Sequence, residues 1–131
     1  MTTLSALTPL AHELLHGPNF VVVATTNPDG SPHQSVVWAR ERSGEVVFSS
    51  ERSRVKVRNL ARDDKVSILV IDRSNGYRYS AIQGRARMEE AGADQLIEEL
   101  SWQYTDEAWP KTQNRPRVTV VVSPTRVTDH C

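Results

Sequence analysis

Two serines and three cations come close together in "SSERSRVKVRNLARDDKVSILV", which runs from Ser49 to Val70. Ser49 and Ser50 offer hydroxyl donors at the end of an apolar run, and Arg54, Lys56 and Arg58 alternate after them. Ser53 is placed to cap a helix over about 54–61. Arg54 and Lys56 would then lie in the first turn, where unpaired backbone N–H groups and the positive end of the helix dipole already favour an anion. Cations there are unfavourable for the helix itself unless something negative binds, and arginine grips phosphate in a bidentate manner. An ordinary surface helix, with its cations paired to Glu51, Asp63 and Asp64, accounts for the same residues, so chemistry alone leaves both readings open.

Other reactive arrangements are sparse. Neither a GxxxxGK[ST] nor a GxGxxG loop is present, so a nucleotide would be held another way. His12 and His16 sit four apart on the opening helix, but without a visible third ligand no metal is assigned. His33 and His130 are isolated, and Glu89-Glu90 and Glu98-Glu99 read as solvated surface rather than an acid–base couple. Trp38, Tyr77 and Tyr79 are flat side chains in strand-like segments beside the cationic run; they suit a core or interface equally well, or the walls of a site for a planar heterocycle.

The elements that must position these groups follow from periodicity and turn residues. Leu4, Leu7, Leu10, Leu14 and Leu15 predict a helix over about 4–16, ended by "HGPN". Strands are expected at Phe20 to Thr26, His33 to Arg40 and Glu45 to Ser50, separated by Asn27-Pro28-Asp29-Gly30 and Ser43-Gly44. After the short helix, with Val55 and Leu60 as its inward residues, "KVSILVID" is a fourth strand. "GYRYSAIQGRARMEE" is a long fifth that Gly84 bends or bulges. Leu96, Ile97, Leu100 and Tyr104 form a helical stripe, and "RPRVTVVVSPTRV" is a sixth strand stopped by Pro124. Hairpin-linked strands with inserted helices predict a small antiparallel barrel rather than a doubly wound sheet.

At 131 residues the chain fits one domain with a barrel over about 19–127. Sixteen Lys plus Arg balance sixteen Asp plus Glu, so no global field draws nucleic acid or an anionic membrane, and an anion site must come from local clustering. The lone cysteine, Cys131, precludes an internal disulfide and points to a cytoplasmic setting. No secretion signal and no apolar run of about 20 residues is visible.

Taken in order, "GSPHQSVVWAR", "SSERSRVKVRNLARDDKVSILV" and "GYRYSAIQGRARM" resemble the pyridoxamine 5′-phosphate oxidase-like split-barrel superfamily. Within it the chain looks most like the deazaflavin-dependent oxidoreductases that use coenzyme F420, the branch close to the flavin-using oxidases. The resemblance spans about Phe20 to Val127. It is strongest in K-x-R-N-L-x-x-D, at Lys56, Arg58, Asn59, Leu60 and Asp63, and in Y-x-x-x-x-G-x-A, at Tyr79, Gly84 and Ala86.

The resemblance implies a mainly β fold with flanking helices, a six-stranded antiparallel split β-barrel working as a homodimer with two cofactor sites at its interface. It implies that Ser50, Arg54 and Lys56 hold the cofactor phosphate, with Ser49 and Asn59 close by. The ring would lie along Gln34, Ser35, Val36, Val37 and Trp38, with Tyr77 and Tyr79 coming from a neighbouring strand or the partner chain. The implied reaction is hydride transfer from reduced F420 to an electron-poor small molecule such as an enone, a quinone or a tetrapyrrole. Tyr79 and His33 are candidate proton donors, and solvent would serve as well. One alternative keeps the fold with FMN, as an oxidase or flavin reductase; pyridoxamine phosphate oxidation itself fits poorly, because the chain ends "TRVTDHC" without a basic C-terminal segment. A second is a non-enzymatic flavin- or haem-binding protein with His33 as axial ligand.

Overall fold

A computed structural model describes residues 5–110 and 115–131. Thr8 opens α1 (Pro9–Leu15): its hydroxyl accepts from the Ala11 N–H at 3.1 Å, and Pro9 takes the first helical position, where no N–H is needed. Over the described residues the helix is therefore shorter than the expected 4–16 span, although Leu7 still packs into the core; Leu4 lies outside the described residues.

The strands are β1 (Phe20–Thr26), β2 (Pro32–Val37), β3 (Arg40–Arg42), β4 (Glu45–Glu51), β5 (Lys65–Ile71), β6 (Tyr79–Glu89) and β7 (Arg117–His130). They form one antiparallel sheet in the order β2-β1-β5-β6-β7-β4-β3. The expected count of six becomes seven because the run His33 to Arg40 is cut at Trp38 and Ala39. The Ala39 N–H donates to the Tyr104 hydroxyl at 3.2 Å, and that hydroxyl donates to the Ala39 carbonyl at 3.1 Å, so a side chain takes both backbone groups from the ladder. The ladder ends on β2 and β3 and so does not close into the expected barrel ring. Even so, Val21, Val23, Val46, Phe48, Ile68 and Val120, drawn from both ends of the sheet, share one core with Leu14 and Leu15.

Ser43 and Gly44 both have positive φ and turn β3 into β4, as a two-residue hairpin requires. Pro124 does not stop the last strand. It pairs with Gly84 where the β6–β7 register shifts, so the missing N–H falls at an irregularity, and β7 continues to His130. Gly84 is itself required there, since a Cβ would lie 2.5 Å from the Ser123 carbonyl oxygen.

α2 (Val55–Arg62) is capped by Arg54 in extended conformation rather than by Ser53, and no side chain caps its first N–H groups. Val57 and Leu60 face inward, whereas Val55 is exposed. α3 (Ala93–Thr105) buries Leu96, Ile97 and Leu100, as its stripe predicts, and lays Tyr104 against Trp38. No helix among the described residues is long and apolar enough to cross a membrane.

Candidate functional site

A cleft of about 260 Å³ opens where the end of β4 and the start of α2 meet the start of β7 and the segment after α3. Its polar floor is Ser49, Ser50 and Glu51, all buried because β4 is covered on both faces along nearly its whole length. Arg54 and Lys56 enter from the α2 start, with no acidic residue in the first turn to oppose them. Arg117 enters from β7, beside Ser49, because Ser49 pairs in register with Thr119 and Ser50 with Val118.

Positive charge is in excess. The Glu51 carboxylate lies 3.5 Å from Arg54 Nε and 3.7 Å from Arg115 Nη1. Among the described residues neither Lys56 nor Arg117 has a carboxylate in ion-pair contact. Burial pushes the Lys56 amine below its ordinary value, with Arg54 and Arg117 adding repulsion that Glu51 only partly offsets. Burial also lowers Arg117, which stays charged at any physiological pH. Arg117 Nη1 reaches the Ser49 carbonyl at 3.4 Å and its hydroxyl at 3.5 Å, both long, while Arg117 Nε is buried without a partner. A buried donor left unpaired is costly, so this side of the cleft is poised for an acceptor.

The other wall is apolar and aromatic. Trp38 stacks on Tyr104 with centroids 5.5 Å apart and planes 17° from parallel, and meets Trp109 edge-on at 5.9 Å. Burial raises the Tyr104 hydroxyl, which keeps its proton for the Ala39 carbonyl. Trp109 is held by its backbone N–H donating to Glu98 at 2.9 Å, while the other Glu98 oxygen accepts from the Trp102 indole. The Arg117 guanidinium lies over the Trp109 ring at 5.0 Å, linking the charged half of the cleft to the aromatic half. Val36, Val37 and Ile97 complete the lining. A phosphate-sized anion beside a flat ring system matches this division.

Of the residues the sequence singled out, Ser49, Ser50, Arg54, Lys56, Val36, Val37 and Trp38 meet in the cleft. Gln34 and Ser35 lie farther back on edge strand β2 and do not line it, although Ser35 Oγ and His33 Nδ1 are buried without partners. Asn59 faces away. Its amide donates to Thr25 Oγ1 and Asn27 Oδ1, both at 3.0 Å, and so ties α2 to the end of β1. Tyr77 is exposed and Tyr79 stacks on His130 at 5.0 Å. Within one chain these tyrosines cannot reach the cleft: Tyr79 begins β6, whereas Glu89, at its far end, pairs with Thr119 beside the cleft, about 30 Å along the strand. Sequence reasoning missed Glu51, Ile97, Trp109 and Arg117 as site residues.

The fold is shared with solved structures. An F420 reductase is 28% identical, with a TM-score of 0.80 over 89% of this chain and 94% of that one. A conserved hypothetical protein of Mycobacterium tuberculosis is 20% identical, with a TM-score of 0.78 over 99% and 88%. General Stress Protein 26 of Bacillus anthracis is 17% identical, with a TM-score of 0.69 over 90% and 88%. Among curated protein sequences none matches significantly. The profile of the pyridoxamine 5′-phosphate oxidase family matches residues 7–131, nearly the whole length, and the chain belongs to that family.

Proposed function

We propose that this protein is an F420H2-dependent oxidoreductase that reduces an electron-poor organic acceptor such as an enone, a quinone or a tetrapyrrole. The observation that carries the reading is the union, in one cleft, of under-neutralised Lys56 and Arg117 with the Trp38 and Trp109 wall. The likeness to an F420 reductase at 28% identity favours the deazaflavin over other anionic heterocycles.

Arg54, Lys56 and Arg117, with the Ser49 and Ser50 hydroxyls, are the groups that would hold the phosphate. Trp38 and Val36 to Val37 would bound the ring, and Tyr104 and Trp109 keep Trp38 in place. The reduced deazaflavin, when bound, supplies the hydride. The chain's part is to fix the orientation of ring and acceptor and to keep water from the face between them. His33 lies on β2 three residues before the cleft-lining Val36 and does not itself line the cleft, so solvent is the proposed proton source.

The functional unit proposed is a homodimer. Val36, Val22, Leu69 and Ala81 are consecutive partners across β2, β1, β5 and β6, and none of them is buried, so an apolar row lies on the outward face of the sheet. Val36 alone is 67% exposed. A second copy seated there would cover the row, and it is the route by which Tyr77 and Tyr79 would join a cleft.

FMN is the second reading, because Ser49, Ser50, Lys56 and Arg117 select for a phosphate and not for the ring attached to it. Separate titrations with F420 and FMN, followed by fluorescence quenching, decide between them. Tight F420 binding supports the proposal; tight FMN with no F420 binding replaces it; binding of neither leaves the cations as surface charge.

A further inference from the structure

The side of the molecule built by α1 and β3 holds a second constellation, made of residues that have no part in the cleft. His12 lies in α1 and His16 caps its C-terminus, one helical turn later, so both imidazoles project to the same side. Their rings are edge-on with centroids 6.4 Å apart. Glu41, from β3, completes the group: its Oε1 lies 3.0 Å from His12 Nδ1 and 4.0 Å from His16 Nε2. The three donor atoms are all within 4.8 Å of one another. Ligand bonds of about 2.0–2.2 Å in a tetrahedral shell place donor atoms about 3.3–3.6 Å apart, so small side-chain rotations bring these three onto one ion. The third ligand that is not visible beside His12 and His16 in the sequence is thus supplied by a hairpin 25 residues farther on than His16.

The surroundings are arranged as metal sites require. Glu41 is only 16% exposed, and its second oxygen accepts from the Gly44 N–H at 3.4 Å, which aims Oε1 at the histidines. The cations on either side of it are engaged elsewhere: Arg40 with Glu99 at 2.6 Å and Arg42 with Glu89 at 3.0 Å. Among the described residues the two imidazoles are therefore the basic side chains within 4.0 Å of this carboxylate. His12 and His16 are 44% and 67% exposed, so an ion has an entry path and a fourth position for water. A plain surface His–Glu contact would explain the 3.0 Å distance, but not the second imidazole converging on the same oxygen.

We infer that His12, His16 and Glu41 form a binding site for a divalent transition metal ion of the zinc class, a clasp between α1 and β3 with one coordination position open to solvent. Imidazole with carboxylate suits Zn(II), Co(II) and Ni(II) rather than Mg(II) or Ca(II). The site is independent of the cofactor chemistry proposed above.

The test uses untagged, full-length, chelator-treated protein titrated with zinc by calorimetry, and with cobalt by its visible absorption. One saturable ion per chain and the intense cobalt bands of a four-coordinate site are expected. His16→Ala and Glu41→Gln, both at positions whose loss leaves the core intact, should each weaken zinc binding at least tenfold, while Cys131→Ser leaves it unchanged. Zinc affinity within twofold of the parent in both ligand variants overturns the proposal. So does the absence of saturable one-to-one binding, or binding that disappears with Cys131.

Discussion

Arg117→Ala separates a cofactor-holding arginine from a merely structural one. The guanidinium lies over Trp109 at 5.0 Å, makes two long contacts to Ser49 at 3.4 and 3.5 Å, and leaves Nε buried and unpaired. In the free protein its removal forfeits a cation–π contact of about 1 kcal/mol and two weak hydrogen bonds. It also relieves repulsion on Lys56 and Arg54 but forfeits attraction to Glu51 and Asp94, so the charge effects offset one another and stability should change by about 1 kcal/mol. With an anion bound the balance differs. Hydrogen bonds to charged groups are worth about 1.5–3 kcal/mol, so affinity should fall about 10- to 100-fold. Fluorescence titration with the cofactor that binds, run alongside thermal unfolding, reads both quantities. Arg117→Lys keeps the charge but loses the planar fork and the stacking, and should fall between the parent and the alanine variant. Affinity within twofold of the parent, or a loss of affinity matched by an equal loss of stability, refutes the assignment.

Three further outcomes follow from the same geometry. Replacing Arg54 and Lys56 together by alanine should weaken cofactor binding at least tenfold, about 1.4 kcal/mol, with little change in the unfolding midpoint. Because burial lowers the Lys56 amine, its charge is lost as pH rises through a value below the ordinary 10.5. Phosphate competition should therefore weaken before that pH, whereas the cost of keeping Lys56 charged in the free protein is full below its folded value and relieved above it; a flat profile up to 10.5 contradicts this. Asn59→Ala leaves Thr25 and Asn27 without their buried partner and should cost about 1–3 kcal/mol of stability while cofactor affinity stays within about twofold, as measured by denaturant melts and titration.

Strands β1, β4 and β5 are legible in the sequence because short runs rich in β-branched and aromatic residues, bounded by turn-forming residues, are local signals, whether the strand then alternates in burial, as β1 and β5 do, or is buried throughout, as β4 is. The division between β2 and β3 is not, since it depends on a Tyr104 hydroxyl 65 residues away from Ala39. The continuation of β7 past Pro124 depends on a bulge at Thr125 whose register is set by pairing with Gln83 and Gly84 of β6. The site divides in the same manner. Ser49, Ser50, Arg54 and Lys56 are contiguous and carry their own chemical logic, so they can be read directly. Arg117 and Trp109 arrive through strand pairing and through Glu98, and the available cue was only an arginine opening the apolar run "RVTVVV". Asn59 enters the expected site only through the family resemblance, and the structure turns its amide toward β1.

The charge arrangement also explains why β4 and β7, rather than α2 alone, define the cleft. An uncapped helix start of two turns would hold an anion weakly in water, where both its dipole and its arginine are screened. Pairing Ser49 and Ser50 with Thr119 and Val118 brings Arg117 under the same opening and roofs it with Trp109, so the cations act in a partly desolvated space. Glu51, 9% exposed on the same strand, keeps that space tolerable before any ligand arrives by pairing with Arg54 and Arg115 and, without touching them, partly offsetting the charge of Lys56 and Arg117. Removing that counterion sharpens the distinction: in Glu51→Gln the free protein should lose stability from unrelieved cation repulsion while anion affinity rises. A surface helix with no ligand role would show the first effect without the second.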